Sequence, residues 1–209
     1  MSRCLTLTIS VLSLLMIPAF VRADVDGKVK AWQGPTDSKG FAMKAGEAGM
    51  YEVKLAQLAQ QKSQSAEIKD LAKRIEQDHT TANNELAAIA RQKNITLPSQ
   101  LSGECDEAYQ AFQKLDGQAF DNAFVMCNVM NHLGAMMMFQ SEARNGTDPD
   151  IKQWAARTLP TLREHTAKIG MVAQSVGIPI DVLASGRGDN ARPAGSRIEG
   201  TNDSSTPRK

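Results

Sequence analysis

The sequence predicts an all-α protein: an antiparallel up-and-down four-helix bundle with a short extra helix before the third long one. Three observations lead there. Apolar residues recur at spacings of three, four and seven along four long stretches. Two short connections, around 62–65 and 145–148, pair those stretches into hairpins. Aromatic side chains make up only 5% of the 209 residues, too few for a typical β-sandwich.

The first long stretch runs from 38 to about 61, with Thr36, Asp37 or Ser38 as its cap and Phe41, Ala45, Ala48, Leu55 and Ala59 on one face. The missing member of that face is Glu52. Gly46 and Gly49 lie inside it at a cost of about 1 kcal/mol each, which implies close approach of a neighbouring helix. Ser65 opens the second stretch, whose stripe of Ile68, Leu71, Ala72, Ile75, Ala82, Leu86 and Ile89 ends before Asn94 and Pro98. Its one gap is filled by His79. A connection leads to a short helix, 104–115, and Asp116-Gly117 turns the chain into a third long helix, 118–144. There Val125, Val129, Met136, Phe139 and Ala143 share a face with His132. After the stop at Asn145-Gly146, Pro149 begins the last long helix, which reaches about 176. Its stripe of Ile151, Ala155, Thr158, Leu162, Ile169, Val172 and Val176 contains His165. Pro160 predicts a kink there and a freed carbonyl at Ala156.

Four segments follow from this reading. Residues 1–23 form a secretory signal peptide: Arg3, an apolar run from Leu5 to Phe20, then Val21-Arg22-Ala23. Residues 24–36 are a leader, 37–183 the helical bundle, and 184–209 a polar tail too poor in apolar side chains to fold. The expected compartment is periplasmic or secreted. Lys plus Arg is 24 against 23 for Asp plus Glu, which leaves no positive field to attract nucleic acid. The oligomeric state stays open. No phosphate-binding loop, Ser-His-Asp order or pair of glycosidase carboxylates falls on suitable elements, so no catalytic residue is assigned.

The chain has three histidines, and each falls on the apolar stripe of a different long helix, with Glu52 on the fourth. Taking about 1.5 Å of rise per residue from the shared hairpin end, Glu52 lies roughly 17 Å down, His79 and His132 roughly 22 Å, and His165 roughly 28 Å. His79, His132, His165 and Glu52 are therefore candidate ligands of one transition-metal ion, with Zn, Cu, Fe and Mn all open. Asp78, Glu47, Glu76 and Glu164 are candidates to accept from the outer ring nitrogens. The alternative is a metal-free envelope structural or interaction protein in which the same side chains form a buried hydrogen-bond network. Glu76 and His79 make one Glu-x-x-His pair where di-iron bundles carry two, which disfavours a dinuclear oxygen-activating site.

Phe41 with Glu52-Val53-x-Leu55, Ile75-x-x-Asp78-His79, Leu97-Pro98, Ala119-Phe120-Asp121, Asn131-His132, and Leu159-Pro160-x-Leu162 with His165 together carry a family resemblance. Over about 37–169 the chain resembles a widespread bacterial family of exported proteins, often labelled outer-membrane proteins, that has no settled function. The resemblance implies an exported bundle of ferritin-like fold with His79, His132 and His165 at the family's histidine positions; whether it is free or associated with the outer membrane stays open. The methionine run and Cys127 depart from the family pattern.

Cys105 and Cys127 are symmetric about Asp116, so a hairpin there predicts a disulfide worth about 3 kcal/mol, the alternative being two buried thiols. Met126, Met130, Met136, Met137 and Met138 crowd one helix. Such thioethers are pliable core filling or soft donors for Cu(I).

Overall fold

The computed structural model describes residues 37–178, which hold five α-helices and no strand. They are α1 (Ser38–Lys62), α2 (Ala66–Gln92), α3 (Gly103–Gln113), α4 (Gly117–Asn145) and α5 (Pro149–Ser175). The signal peptide, the leader up to residue 36 and the tail from residue 179 lie outside the described residues.

Local chemistry sets the helix starts. The Asp37 carboxylate accepts from the Gly40 amide at 2.7 Å, the Ser65 hydroxyl from Ile68 at 3.2 Å, and Asp148 from Asp150 and Ile151 at 3.0 and 3.1 Å. Pro149 takes the first helical position, where its missing N–H costs nothing. Pro160 is accommodated within α5 because it and Ala156 both face solvent, where water serves the freed carbonyl.

α1 packs most extensively on α2, and α4 on α5. α2 runs back along α1, Gly49 lying against Asn83, and α5 runs back along α4, Phe139 packing on Trp154 with ring centroids 5.3 Å apart. Two polar knots join the hairpins. At one end the Ser38 hydroxyl donates to Glu142 at 2.5 Å and accepts from the amides of Thr147 and Asp148. Lys93, just past α2, pairs there with Asp148 and Asp150. At the other end Lys62 donates to the carbonyls of Gln113 and Leu115 and to Asp116.

The start of α1 thus meets the end of α4, and the end of α1 meets the start of α4, which corrects the expected up-and-down order and the shared hairpin end: the two turns lie at opposite ends because the crossover is long. The segment 93–116 must therefore cross the whole length of the molecule, with α3 laid along α1: Ser102 donates to Glu47, and Lys54 stands over the Tyr109 ring. This geometry corrects the expected disulfide. Because α3 rests on α1, Cys105 lies beside Glu47 and Ser102, while Cys127 contacts the Tyr51 hydroxyl at 3.7 Å and the Asn131 amide at 3.4 Å. Both thiols are free.

The core has two apolar clusters. One gathers Leu55, Ile68, Ile75, Phe112, Phe120, Phe124, Val129 and Ile169, and the other Phe41, Leu86, Met138, Phe139, Trp154 and Leu162. The seam between them falls at the level of His79, His132 and His165. No helix among the described residues is long and apolar enough to cross a membrane.

The two helical glycines of α1 behave differently. A Cβ at Gly46 would meet Leu97 at 3.6 Å, ordinary contact, whereas one at Gly49 would fall 2.0 Å from the Asn83 side chain. Gly46→Ala is expected to raise unfolding stability by about 1 kcal/mol through helix propensity. Gly49→Ala is expected to gain less because it displaces Asn83. Urea denaturation of the two variants measures the difference.

Candidate metal centre

Each histidine is carried inward by the 3.6-residue period of its own helix: His79 by α2, His132 by α4 and His165 by α5. His132 and His165 are buried and His79 half-buried. The ring centroids are 5.3–5.6 Å apart, and one nitrogen from each ring lies within 4.8 Å of the others.

Two of the rings belong to a continuous chain of contacts. The Asp78 carboxylate lies 2.9 Å from Nε2 of His165, whose Nδ1 lies 3.2 Å from Nε2 of His132, whose Nδ1 lies 2.9 Å from the Asn128 carbonyl. Arg74 holds the same Asp78 oxygen at 2.6 Å. Both ends of the chain are acceptors, so three contacts require three ring hydrogens. Two neutral imidazoles bring only two.

The rings are held neutral by burial. His132 is pushed down to about 3, His79 falls well below its ordinary range, and His165 is lowered despite Asp78, burial outweighing the carboxylate. With the two hydrogens on the outer contacts, to Asp78 and Asn128, the inner nitrogens of His132 and His165 face each other as lone pairs. Nε2 of His79 is buried with no hydrogen-bond partner. Three neutral nitrogen donors thus converge where one positive charge is wanting, an arrangement that fits a transition-metal cation.

The other sequence candidates lie elsewhere. Glu52 is 4% exposed but stands outside the histidine group, accepting from Asn131 at 2.8 Å beside Tyr51 and Cys127. It occupies the stripe of α1, yet that stripe meets the Asn131 side of α4 instead of the imidazoles. Of the four proposed carboxylate acceptors, Asp78 alone meets a histidine. Glu47 accepts from the Ser102 amide, Glu76 from Gln57 and Gln60, and Glu164 pairs with Arg74 and Lys168 on the surface. The sequence reading missed Arg74 and the Asn128 carbonyl. Both sit four residues before a partner, Asp78 and His132, the spacing at which helix neighbours meet.

Helices throughout the described residues, with three imidazoles turned inward to one point, are the class that fold and site define. The chain belongs to the family described as Domain of unknown function (DUF4142), whose model matches residues 26–172. No curated protein matches it significantly. Among solved structures it is similar in fold to "CopM in the Cu(I)-bound form", with a TM-score of 0.57 and 18% identity over 68% of this chain and 99% of that one.

The buried ionisable groups pull stability in opposite directions with pH. Glu52 is raised from 4.5 to about 7 by burial, against the Asn131 hydrogen bond, so the folded state keeps its proton where the unfolded chain has lost it. Its stabilising effect is complete below 4.5 and lost as pH rises through 7. His132, lowered from 6.5 to about 3, contributes stability above 6.5 that is lost as pH falls towards 3. Because three lowered histidines outweigh one raised carboxyl, urea midpoints of metal-free protein should rise between pH 4.5 and 6.5, and Glu52→Gln should steepen that rise. An unchanged profile would remove Glu52 from that account.

Proposed function

We propose that this protein binds one transition-metal ion through His79, His132 and His165, in the service of metal handling or envelope stress tolerance. The observation that carries the reading is the inward meeting of three imidazoles, two of them in a hydrogen-bond chain one hydrogen short and the third with an unpartnered buried nitrogen. In this reading the four long helices form an antiparallel bundle of the ferritin-like kind, in the up, down, down, up order that a single long crossover produces. Residues 1–23 direct the chain to the periplasm or exterior, free or associated with the outer membrane, and the near-balanced charge gives no role for nucleic acid.

Three neutral nitrogens without a carboxylate favour copper or zinc over iron or manganese. The fold likeness to CopM, described in its Cu(I)-bound form, supports copper. A bound copper ion would supply a sink for a toxic cation or a centre open to a small ligand. The chain's own residues do the rest. Asp78 fixes the His165 ring and its tautomer, itself steadied by Arg74, and the Asn128 carbonyl does the same for His132. The apolar clusters on either side keep water from the nitrogens, and His79, the half-buried ring, is the one reached from outside.

A second reading is a metal-free structural or interaction protein, favoured by the contacts His132 and His165 already make with each other and with Asp78. Elemental analysis of purified protein beside His79→Ala and His132→Ala separates the two. Near-stoichiometric metal in the parent and its loss in both variants is the expected result, and equal content in all three would overturn metal binding at this site. Asp78→Asn is expected to lower affinity about 10- to 100-fold while leaving the fold intact, measured by competition with a chromophoric chelator.

A further inference from the structure

Among the described residues, the large apolar side chains that stand exposed are all methionines: Met43, Met137 and Met171. Leu, Ile, Val and Phe are all withdrawn at least in part. Met137 is 60% exposed, and it continues a row on α4. At 100° per residue, Met126, Met130, Leu133 and Met137 fall within a sector about 60° wide, turned away from the side that carries Cys127 and Asn131. Met126 and Met130 are half-buried. Being four residues apart, they place their β-carbons about 6 Å from each other on one face. Each thioether has three rotatable bonds, so the two sulfurs can close on a single ion without moving the helix. Met136 lies on the inner flank of the same helix, one turn beyond His132, with its sulfur 3.9 Å from the hydroxyl of Thr166. Sulfur therefore runs from the outer surface of α4 towards the level of the imidazoles.

Met126 and Leu133 pack in part against the core, but core filling does not account for Met137, which buries little and where a lysine or glutamine would cost nothing in packing. Thioethers are neutral, soft donors. They bind monovalent d10 ions such as Cu(I) and offer little to Zn(II) or to hard cations. We infer that Met126 and Met130 form a second, shallow site on the outer face of α4 for a soft monovalent ion, Cu(I) in chemical class, with Met137 at its solvent-exposed margin. The site is separate from the histidines and does not need them to bind.

Ag(I) serves as a redox-inert probe of this site. The full chain, labelled at the methionine methyl carbons, is titrated with Ag(I) and separately with Zn(II), and the methyl resonances are followed by NMR. The same titration is run on a His79→Ala/His132→Ala/His165→Ala variant and on Met126→Leu/Met130→Leu, whose side chains conserve volume and keep the helix packed. The expected result is a shift of the Met126 and Met130 methyl signals with Ag(I) and none with Zn(II), retained in the histidine variant, together with loss of one bound Ag(I) equivalent in the leucine variant. Immobile methyl signals in excess Ag(I), their loss in the histidine variant, or an unchanged number of bound ions in the leucine variant would each overturn the proposal. The methyl-resolved signals keep this outcome distinct from silver at the thiols, and the metal content of the histidine variant judges the imidazole site separately.

Discussion

The structure turns on a shortage of one hydrogen. A carboxylate and a backbone carbonyl claim the outer nitrogens of His165 and His132, and burial denies those rings the extra proton that would fill the contact between them. In water the inner nitrogens would accept hydrogen bonds from solvent. Here the apolar clusters above and below make the charged ring expensive, so the vacancy is maintained by packing as much as by the histidines themselves. Shape, tautomer and donor direction are fixed in the folded chain itself, the ordering from which the proposed ion site would draw its affinity.

The parts of this arrangement that could be read from the sequence are those set by the helical period. His79, His132 and His165 each interrupt a largely apolar stripe, and a 3.6-residue repeat carries them inward whatever the rest of the fold does. Depth was read from a hairpin end taken as shared, whereas the two turns lie at opposite ends; the rings still meet because each histidine lies towards the middle of its helix. Lateral placement was not legible. Glu52 sits on its stripe at a matching depth, yet the rotation of α1 about its own axis sets it against Asn131, and no periodicity within one helix encodes that angle.

The cysteines fail for a related reason. Equal spacing on either side of Asp116 predicts opposition only if α3 folds back onto α4. Ser102, Tyr109 and Lys62 instead fasten the crossover to α1, and the Tyr51 hydroxyl meets the Cys127 sulfur. Those fastenings are long-range contacts with no signature in local sequence. The same crossover decides the direction of α4 relative to α1, which loop length alone leaves undetermined. The short-range partnerships, Arg74 with Asp78 and the i−4 carbonyl with His132, were within reach of the sequence and escaped because only carboxylates were sought as ring partners.

The crossover has a consequence for how the molecule is assembled. Each hairpin closes through a turn of a few residues, but His79 belongs to the first hairpin while His132 and His165 belong to the second. Neither half owns a complete coordination sphere. A cation seated among the three rings would act as a clasp between the two hairpins, so that its binding and their docking would be coupled.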